Sequence, residues 1–371
     1  MMGPKKKLRV LIVEDSTFMR KVLHDIIAAD PQLEVAGQAR DGREGVAMAE
    51  SLKPDVITMD INMPHVDGLQ ATQLIMTQNP RPIVIVSSES REGADSTLRA
   101  LEMGAIDFVP KPSSGIDLDM RSVGQELARK LKMAAKVRVV RTATLSKIAG
   151  PAGRNPAVQV SPSNGLGLAS QAGGKFPFVV IAASTGGPAT VMNLVPGFSK
   201  DLHAAIFLVQ HMPAAFTNQF SLQLTEACEL RVKEAETNET VQPGTIYVCP
   251  GSHHLRIAGS GRITLDAGER ISGYRPCADV ALETAAAYAG PMTIGVILTG
   301  MGNDGAKGAK AVKEAGGYVI AQDEASSVIF GMPAEAIKTG AVDEVLPLDD
   351  IAAAIERRAM QLCRAVPVSV R

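Results

Sequence analysis

The sequence has little of what would assign it to several common classes. It holds 4 cysteines in 371 residues (Cys228, Cys249, Cys277 and Cys363), and none belongs to a Cys-x-x-Cys pair. That argues against a disulfide framework or a zinc site and leaves free thiols in a reducing compartment as the expectation. No apolar run approaches the roughly 20 residues needed to cross a bilayer. The formal net charge is −1, so the chain as a whole has no pull toward nucleic acid or membrane surfaces. The basic start, "MMGPKKKLRVLIVED", lacks the long apolar stretch and small-residue cleavage site of a signal peptide. Its apolar run ends in Glu14-Asp15 and reads as a first strand. The expectation is a cytoplasmic protein with no membrane insertion.

What is present is ordinary globular material: 46% hydrophobic and 21% charged residues, at a length that favours two to three domains. From Leu8 to about Val137, short β-branched runs alternate with helix-length segments, five of each. That pattern predicts a parallel doubly wound sheet. From Arg138 to Phe176 the chain is rich in Gly, Pro, Ala and Ser and reads as a flexible linker. From Phe178 the alternation resumes, with strands expected at "FVVIAAS", "AAIFLVQH", "TIYVCP", "TIGVILTG" and "GYVIAQD", and a hairpin at "LRIAGSGRITLDA". The predicted organisation is α/β throughout: residues 1–137, a linker at 138–176, and a second domain at 177–371.

In an open parallel sheet, ligands bind beyond the carboxyl ends of the strands. In the first domain those ends carry Glu14 and Asp15, Asp60, Ser87 and Lys111. Three converging carboxylates need a cation, and oxygen ligands with room for water suit Mg²⁺. A lysine and a hydroxyl beside them suit a phosphoryl group on a carboxylate. The cluster reads as phosphoryl transfer onto Asp60. Its alternative is a set of solvated acids at loop starts. Residues 8–137 resemble a response-regulator receiver domain, through Glu14-Asp15, Asp60 with "INMPHVDG", Ser87 and Lys111-Pro112. The resemblance implies a flavodoxin-like fold, with Asp15, Asp60 and the backbone carbonyl of Asn62 on Mg²⁺. It further implies that Glu14 acts through water, where the family's usual pair is Asp-Asp. Phe108 stands where the family often has a switching ring, and as a lone aromatic beside a strand it reads equally as core.

In the second domain "VVIAASTGGP" ends a buried-looking strand on Ser184. Ser184 reads either as the cap of the following helix, with Pro188 just inside it, or as a nucleophile on a sharp turn. "ASTGGP" lacks the Gly-x-Gly-x-x-Gly pattern and a Walker lysine, so a phosphate cradle has weak support. His211 ends a second apolar run and Asp304 follows a third, so nucleophile, base and orienting acid all fall at strand ends. His203 precedes its strand, and His253-His254 remain a competing pair. The order Ser, His, Asp and the absence of Gly-x-Ser-x-Gly set the chain apart from α/β hydrolases. A DNA-binding output would need a compact basic helix-turn-helix, which the second domain's texture does not supply. A docking domain without catalysis is the third reading.

The motifs "ASTGGP", "QHMP", "PG-x-x-H" and "LTGMGNDG" resemble the catalytic domain of chemotaxis receptor methylesterases. The resemblance implies a Rossmann-like domain whose triad is Ser184, His211 and Asp304, with the Met301 N–H as an oxyanion donor and Thr185 orienting His211. It implies no cofactor in this domain and hydrolysis of glutamate methyl esters on chemoreceptors, with methanol released. It also implies deamidation of receptor glutamines, and activation when a chemotaxis histidine kinase phosphorylates Asp60, serving adaptation.

Overall fold

A strand whose every residue is apolar can be buried only if both faces of its sheet are covered, and the chain builds two such sheets. The computed structural model describes residues 6–88, 90–111, 117–137, 139 and 176–365. The first unit runs β1 (Leu8–Val13), α1 (Thr17–Ala29), β2 (Leu33–Ala39), α2 (Gly42–Leu52), β3 (Val56–Asp60) and α3 (Gly68–Gln78). It continues with β4 (Ile83–Ser87), α4 (Arg91–Glu102), β5 (Asp107–Pro110) and α5 (Asp117–Ala134). The strands are parallel in the order β2-β1-β3-β4-β5. Every residue of β3 and β4 is buried. The order reverses between β1 and β3, which opens a crevice at their carboxyl ends, where Glu14 and Asp60 stand. Side-chain caps fix where the flanking helices begin: Ser16 accepts from Met19 N, Asp41 from Glu44 N and Asp67 from Gln70 N.

The second unit holds β6 (Phe178–Ala183), α6 (Gly187–Leu194), β7 (Ala205–Gln210), α7 (Ala214–Ala227), β8 (Arg231–Glu234) and β9 (Thr245–Val248). There follow β10 (His254–Ile257), β11 (Ile263–Asp266), α8 (Ala278–Ala289), β12 (Thr293–Ile297), α9 (Ala306–Glu314), β13 (Tyr318–Gln322), α10 (Met332–Lys338), β14 (Glu344–Leu346) and α11 (Leu348–Ala365). Its seven strands are parallel in the order β14-β13-β12-β6-β7-β9-β8, beside the antiparallel hairpin β10-β11. Here the order reverses at β6, so the loops after β6 and β12 face each other across the switch point. The two parallel α/β sheets and the hairpin follow the sequence pattern. β8, β14 and α11 do not appear in that reading. β8 is the polar edge strand "RVKE" and β14 spans three residues, too short for either to show a period. α11 buries Ile351, Ile355, Ala359 and Leu362 on one stripe, but it lies past the last strand that the alternation demanded.

The two units touch through α4, which packs on α6 and α7. Asp95 Oδ1 accepts from Gln219 Nε2 at 3.0 Å and Gln223 Nε2 at 3.3 Å, and Arg99 pairs with Asp95 from the same helix at 3.0 Å. The Phe108 and Phe216 rings meet across the junction with centroids 4.4 Å apart. Apart from Val139 and Phe176, the segment expected to be the linker lies outside the described residues.

Helices α8 and α9 approach so closely that Gly308 has no room for a side chain. An added Cβ would sit 2.5 Å from Leu282 Cβ and 3.1 Å from Asp279 Cα. Gly308→Ala gains helix propensity but overpacks this contact, so urea unfolding should show the second unit destabilised by about 1–2 kcal/mol.

Candidate active site and phospho-acceptor site

Ser184 leaves β6 on a tight turn: Gly187 N donates to Ser184 O at 2.8 Å, and the chain turns through Gly186 at φ +74 before α6. Gly186 is the N-cap of α6, which receives no side-chain cap. The Ser184 hydroxyl is therefore not the helix cap, and among the described residues it takes part in no hydrogen bond. Gly187 admits no larger residue, because its Cβ would collide with Gln210 Oε1.

β6 and β7 pair as far as Ala183 and Gln210, so Ser184 and His211 emerge side by side. His211 N donates to Ala183 O at 3.0 Å, and the Gln210 amide donates to the carbonyls of both Ser184 and His211, at 2.9 and 3.1 Å. His211 Nε2 lies 2.7 Å from Asp304 Oδ2. A carboxylate accepts only, so Nε2 carries the proton and Nδ1 presents a lone pair. His211 Nδ1 is buried with no partner among the described residues. Ser184 and His211 both line a cleft of about 1050 Å³ between the two units.

Asp304 is 2% exposed and held by the start of α8. Its Oδ2 accepts from Ala278 N at 2.7 Å, and its Oδ1 accepts from Asp279 N at 2.9 Å and Gly305 N at 3.0 Å. Burial opposes its charge, but the His211 imidazole and the α8 N–H groups outweigh that and hold its pKa below the ordinary carboxylate range. Burial, then the Asp304 charge, pushes the Cys277 thiol up to about 12, so it stays protonated and donates to Asp304 Oδ1 at 3.2 Å. Cys277, Asp279 and Asp304 cluster closely enough to suggest a metal site. The donor set does not fit one: both Asp304 oxygens accept N–H groups, and Asp279 Oδ1 takes Gly305 N and Gly308 N, each at 2.8 Å.

Two side chains beside the base carry no functional assignment from the sequence: Gln210, which ties Ser184 to His211, and Tyr274, whose ring stacks on His211. Gln210 closes the apolar run "AIFLVQ" and opens the motif "QHMP", but neither assigns its amide a role. Met301 follows Gly300, whose carbonyl accepts from Gly331 N and Met332 N, and the Met301 N–H has no acceptor among the described residues. Thr185 is buried, with its carbonyl accepting from Thr299 Oγ1 at 3.0 Å. The competing histidines lie off the cleft. His254 is buried in β10 with Nε2 3.0 Å from Glu269 O, and His253 Nδ1 lies 2.8 Å from Ser252 Oγ.

In the first unit, Glu14 and Asp60 are buried and Asp15 is exposed, with a carboxylate oxygen of each within 4.8 Å of the others. Lys111 Nζ lies 2.9 Å from Glu14 Oε2 and 2.9 Å from Asp60 Oδ2. Burial, then the Asp60 charge, raises the Glu14 pKa to about 7, and burial raises that of Asp60 despite Lys111. One lysine does not neutralise this pocket, and its all-oxygen, half-open donor set fits a hard divalent ion such as Mg²⁺. Asn62 lies on the exposed loop after Asp60, where the Ile61 N–H donates to Asp60 Oδ1 at 2.8 Å. The Ser87 hydroxyl is buried and donates to Gly93 O at 3.3 Å. Phe108 is buried against Phe216, with Lys130 Nζ 5.3 Å from its ring. Pro112 lies outside the described residues.

The native pKa of Asp304 lies below its unfolded value. Its charge therefore adds stability that is complete above the ordinary carboxylate range and is lost as pH falls through the native value. Asp304→Asn should lower unfolding stability at pH 7 by about 1–3 kcal/mol, and the gap from wild type should narrow in urea series taken to acid pH.

Comparisons with known proteins cover both units. The family "CheB methylesterase" matches residues 179–355 and "Response regulator receiver domain" matches residues 10–121. A protein-glutamate methylesterase/protein-glutamine glutaminase of Pyrococcus horikoshii is 46% identical over 356 residues, 93% of this chain and 92% of the relative. The protein of the same name from Pyrococcus abyssi is 45% identical over 362 residues, 95% of this chain and 94% of the relative. The crystal structure of the Thermotoga maritima CheB methylesterase catalytic domain is 44% identical, covering 49% of this chain and 98% of that one, with a TM-score of 0.48. The chain thus belongs to the protein-glutamate methylesterase/protein-glutamine glutaminase family, response regulators whose output domain is an ester hydrolase.

Proposed function

We propose that this protein removes methyl groups from glutamates of chemoreceptors in the cytoplasm and deamidates receptor glutamines, under control of Asp60 phosphorylation, as the adaptation enzyme of a chemotaxis system. The observation that carries the reading is the state of His211: one ring nitrogen is committed to Asp304, and the other is unpartnered beside a cleft that also exposes Ser184.

In this reading Ser184 Oγ attacks the ester carbonyl while His211 Nδ1 takes its proton. Asp304 steadies the imidazolium, at Nε2. The oxyanion forms beside the Met301 N–H. Thr185 helps orient His211. Nδ1–H then protonates the departing methanol, and a water deprotonated by the same nitrogen opens the acyl-enzyme to release glutamate. With glutamine the leaving group is ammonia. No step calls for a cofactor.

Glu14, Asp15, Asp60 and the Asn62 carbonyl would hold Mg²⁺, which when bound offsets phosphoryl charge during transfer from a histidine kinase to Asp60. Lys111 would turn from the Glu14–Asp60 pair to the new phosphoryl oxygens. Ser87 would turn with it, giving up its bond to Gly93 O at the start of α4. That helix bears Asp95, the acceptor for Gln219 and Gln223 on α7, and α7 begins three residues after His211. The proposed activation loosens this contact and opens the cleft, with Phe108 moving on Phe216.

The test is methanol release from methylated receptors, with and without Mg²⁺ and a small phosphodonor. Wild type should be stimulated by the phosphodonor and Asp60→Ala should not. Ser184→Ala should lose about 10⁶ in kcat under both conditions. Equal rates for Ser184→Ala and wild type would refute the nucleophile, and equal stimulation of Asp60→Ala would refute the gate.

A further inference from the structure

Resting on the esterase reading, we propose that Tyr274 is a positioning residue for His211: its ring fixes the plane of the imidazole, so that losing the ring lowers turnover rather than substrate affinity. The Tyr274 and His211 rings are stacked, with centroids 4.4 Å apart and planes 17° from parallel. His211 needs such a support. Among the described residues only Nε2 has a hydrogen-bond partner, and a single hydrogen bond leaves the ring free to rock about the Nε2···Oδ2 line. The terminal torsion of histidine is broad and adds no restraint of its own. A flat surface against one face removes that freedom and aims the Nδ1 lone pair.

The segment bearing Tyr274 is built to present it. Ile271 and Tyr274 exchange backbone hydrogen bonds of 3.0 and 2.9 Å around Ser272 at φ +53 and Gly273 at φ +87. Two consecutive positive φ values make this a type I′ turn, which rigidly pairs its flanking residues. Arg275 anchors the base of the arm by donating to Ala267 O at 3.1 Å and Gly268 O at 2.8 Å. Past Pro276 the chain enters α8, whose Ala278 and Asp279 N–H groups hold Asp304. Residues 271–279 therefore restrain the imidazole twice, at its face through Tyr274 and at its edge through Asp304. The Tyr274 hydroxyl also fills the space that a side chain at Gly302 would need, which braces the loop carrying Met301. When Nδ1 accepts a proton, the aromatic face gains a cation–π attraction to the imidazolium, so the support strengthens as the reaction proceeds.

The experiment uses the full chain with Mg²⁺ and a phosphodonor. It measures kcat and KM for methanol release from methylated receptors, with wild type and Ser184→Ala fixing the signal of the esterase itself. If wild type gives no more methanol than Ser184→Ala, the esterase reading has failed; the inference is judged on the variants once that signal is present. Tyr274→Leu, which keeps apolar bulk but no flat face, and Tyr274→Ala should each lose about tenfold to a hundredfold in kcat, with KM within twofold of wild type. Tyr274→Phe keeps the ring and should recover activity to within about threefold of wild type. The ring ¹⁵N resonances of His211 should stay sharp in Tyr274→Phe and broaden in Tyr274→Leu and Tyr274→Ala, a readout independent of turnover. Wild-type kcat in Tyr274→Leu, a loss confined to KM, or a Phe variant as impaired as Ala would each overturn the proposal.

Discussion

The chemistry proposed for the second domain depends on keeping Asp304 ionised in a place from which water is excluded. A carboxylate at 2% exposure pays a heavy desolvation cost, and the structure offsets it with the N–H groups of Ala278, Asp279 and Gly305, the Cys277 thiol and the His211 imidazole. Two of these donors, the Ala278 and Asp279 N–H groups, come from the first turn of α8, where the helix has free N–H groups and positive dipole. The helix thus gains a cap from a residue far along the chain, and the acid gains a fixed position. Because His211 Nε2 meets that acid, Nε2 carries the proton and Nδ1 is left for the cleft.

The first domain treats its acids in the opposite way. Glu14 and Asp60 have similar burial but only Lys111 to offset two charges, and Glu14 is raised to about 7. Asp304 is electrostatically finished, whereas the Glu14–Asp15–Asp60 pocket is short of positive charge. The difference fits the roles assigned to them. The acid of the proposed triad must hold one charge state throughout the cycle. A phospho-acceptor pocket must change its charge when an ion or phosphoryl group arrives.

Much of this was legible in the chain because apolar runs and strand ends are local features. Runs such as "FVVIAA" and "PIVIV" fix both parallel sheets, and the residues that close them, Ser184, His211, Asp60 and Ser87, stand where a parallel sheet must present them. What was not legible depends on contacts between distant segments. Ser184 could be read equally as a helix cap, since only the backbone shows that Gly186 occupies that position. Gln210 looks like one polar residue at the end of a strand until its amide is seen spanning two carbonyls. Tyr274 sits in the turn "ISGY", where Ser-Gly announces a bend but not the ring against which it packs. The edge strands β8 and β14 are set by pairing with their neighbours rather than by any pattern of their own.

The junction between the units is scaled to its proposed task. A tenfold change in activity needs about 1.4 kcal/mol of difference between two states. The Asp95 contacts to Gln219 and Gln223 are amide-to-carboxylate hydrogen bonds, worth about 1.5–3 kcal/mol each at most, and less where water reaches them, as it does here. The Phe108–Phe216 contact adds about 0.5–1.5 kcal/mol beyond its burial. A junction of this strength holds the cleft partly covered without locking it, and it lies within reach of the rearrangement proposed at Ser87 and Lys111. A much larger apolar interface would be indifferent to Asp60, and a much smaller one would leave Ser184 uncovered in both states.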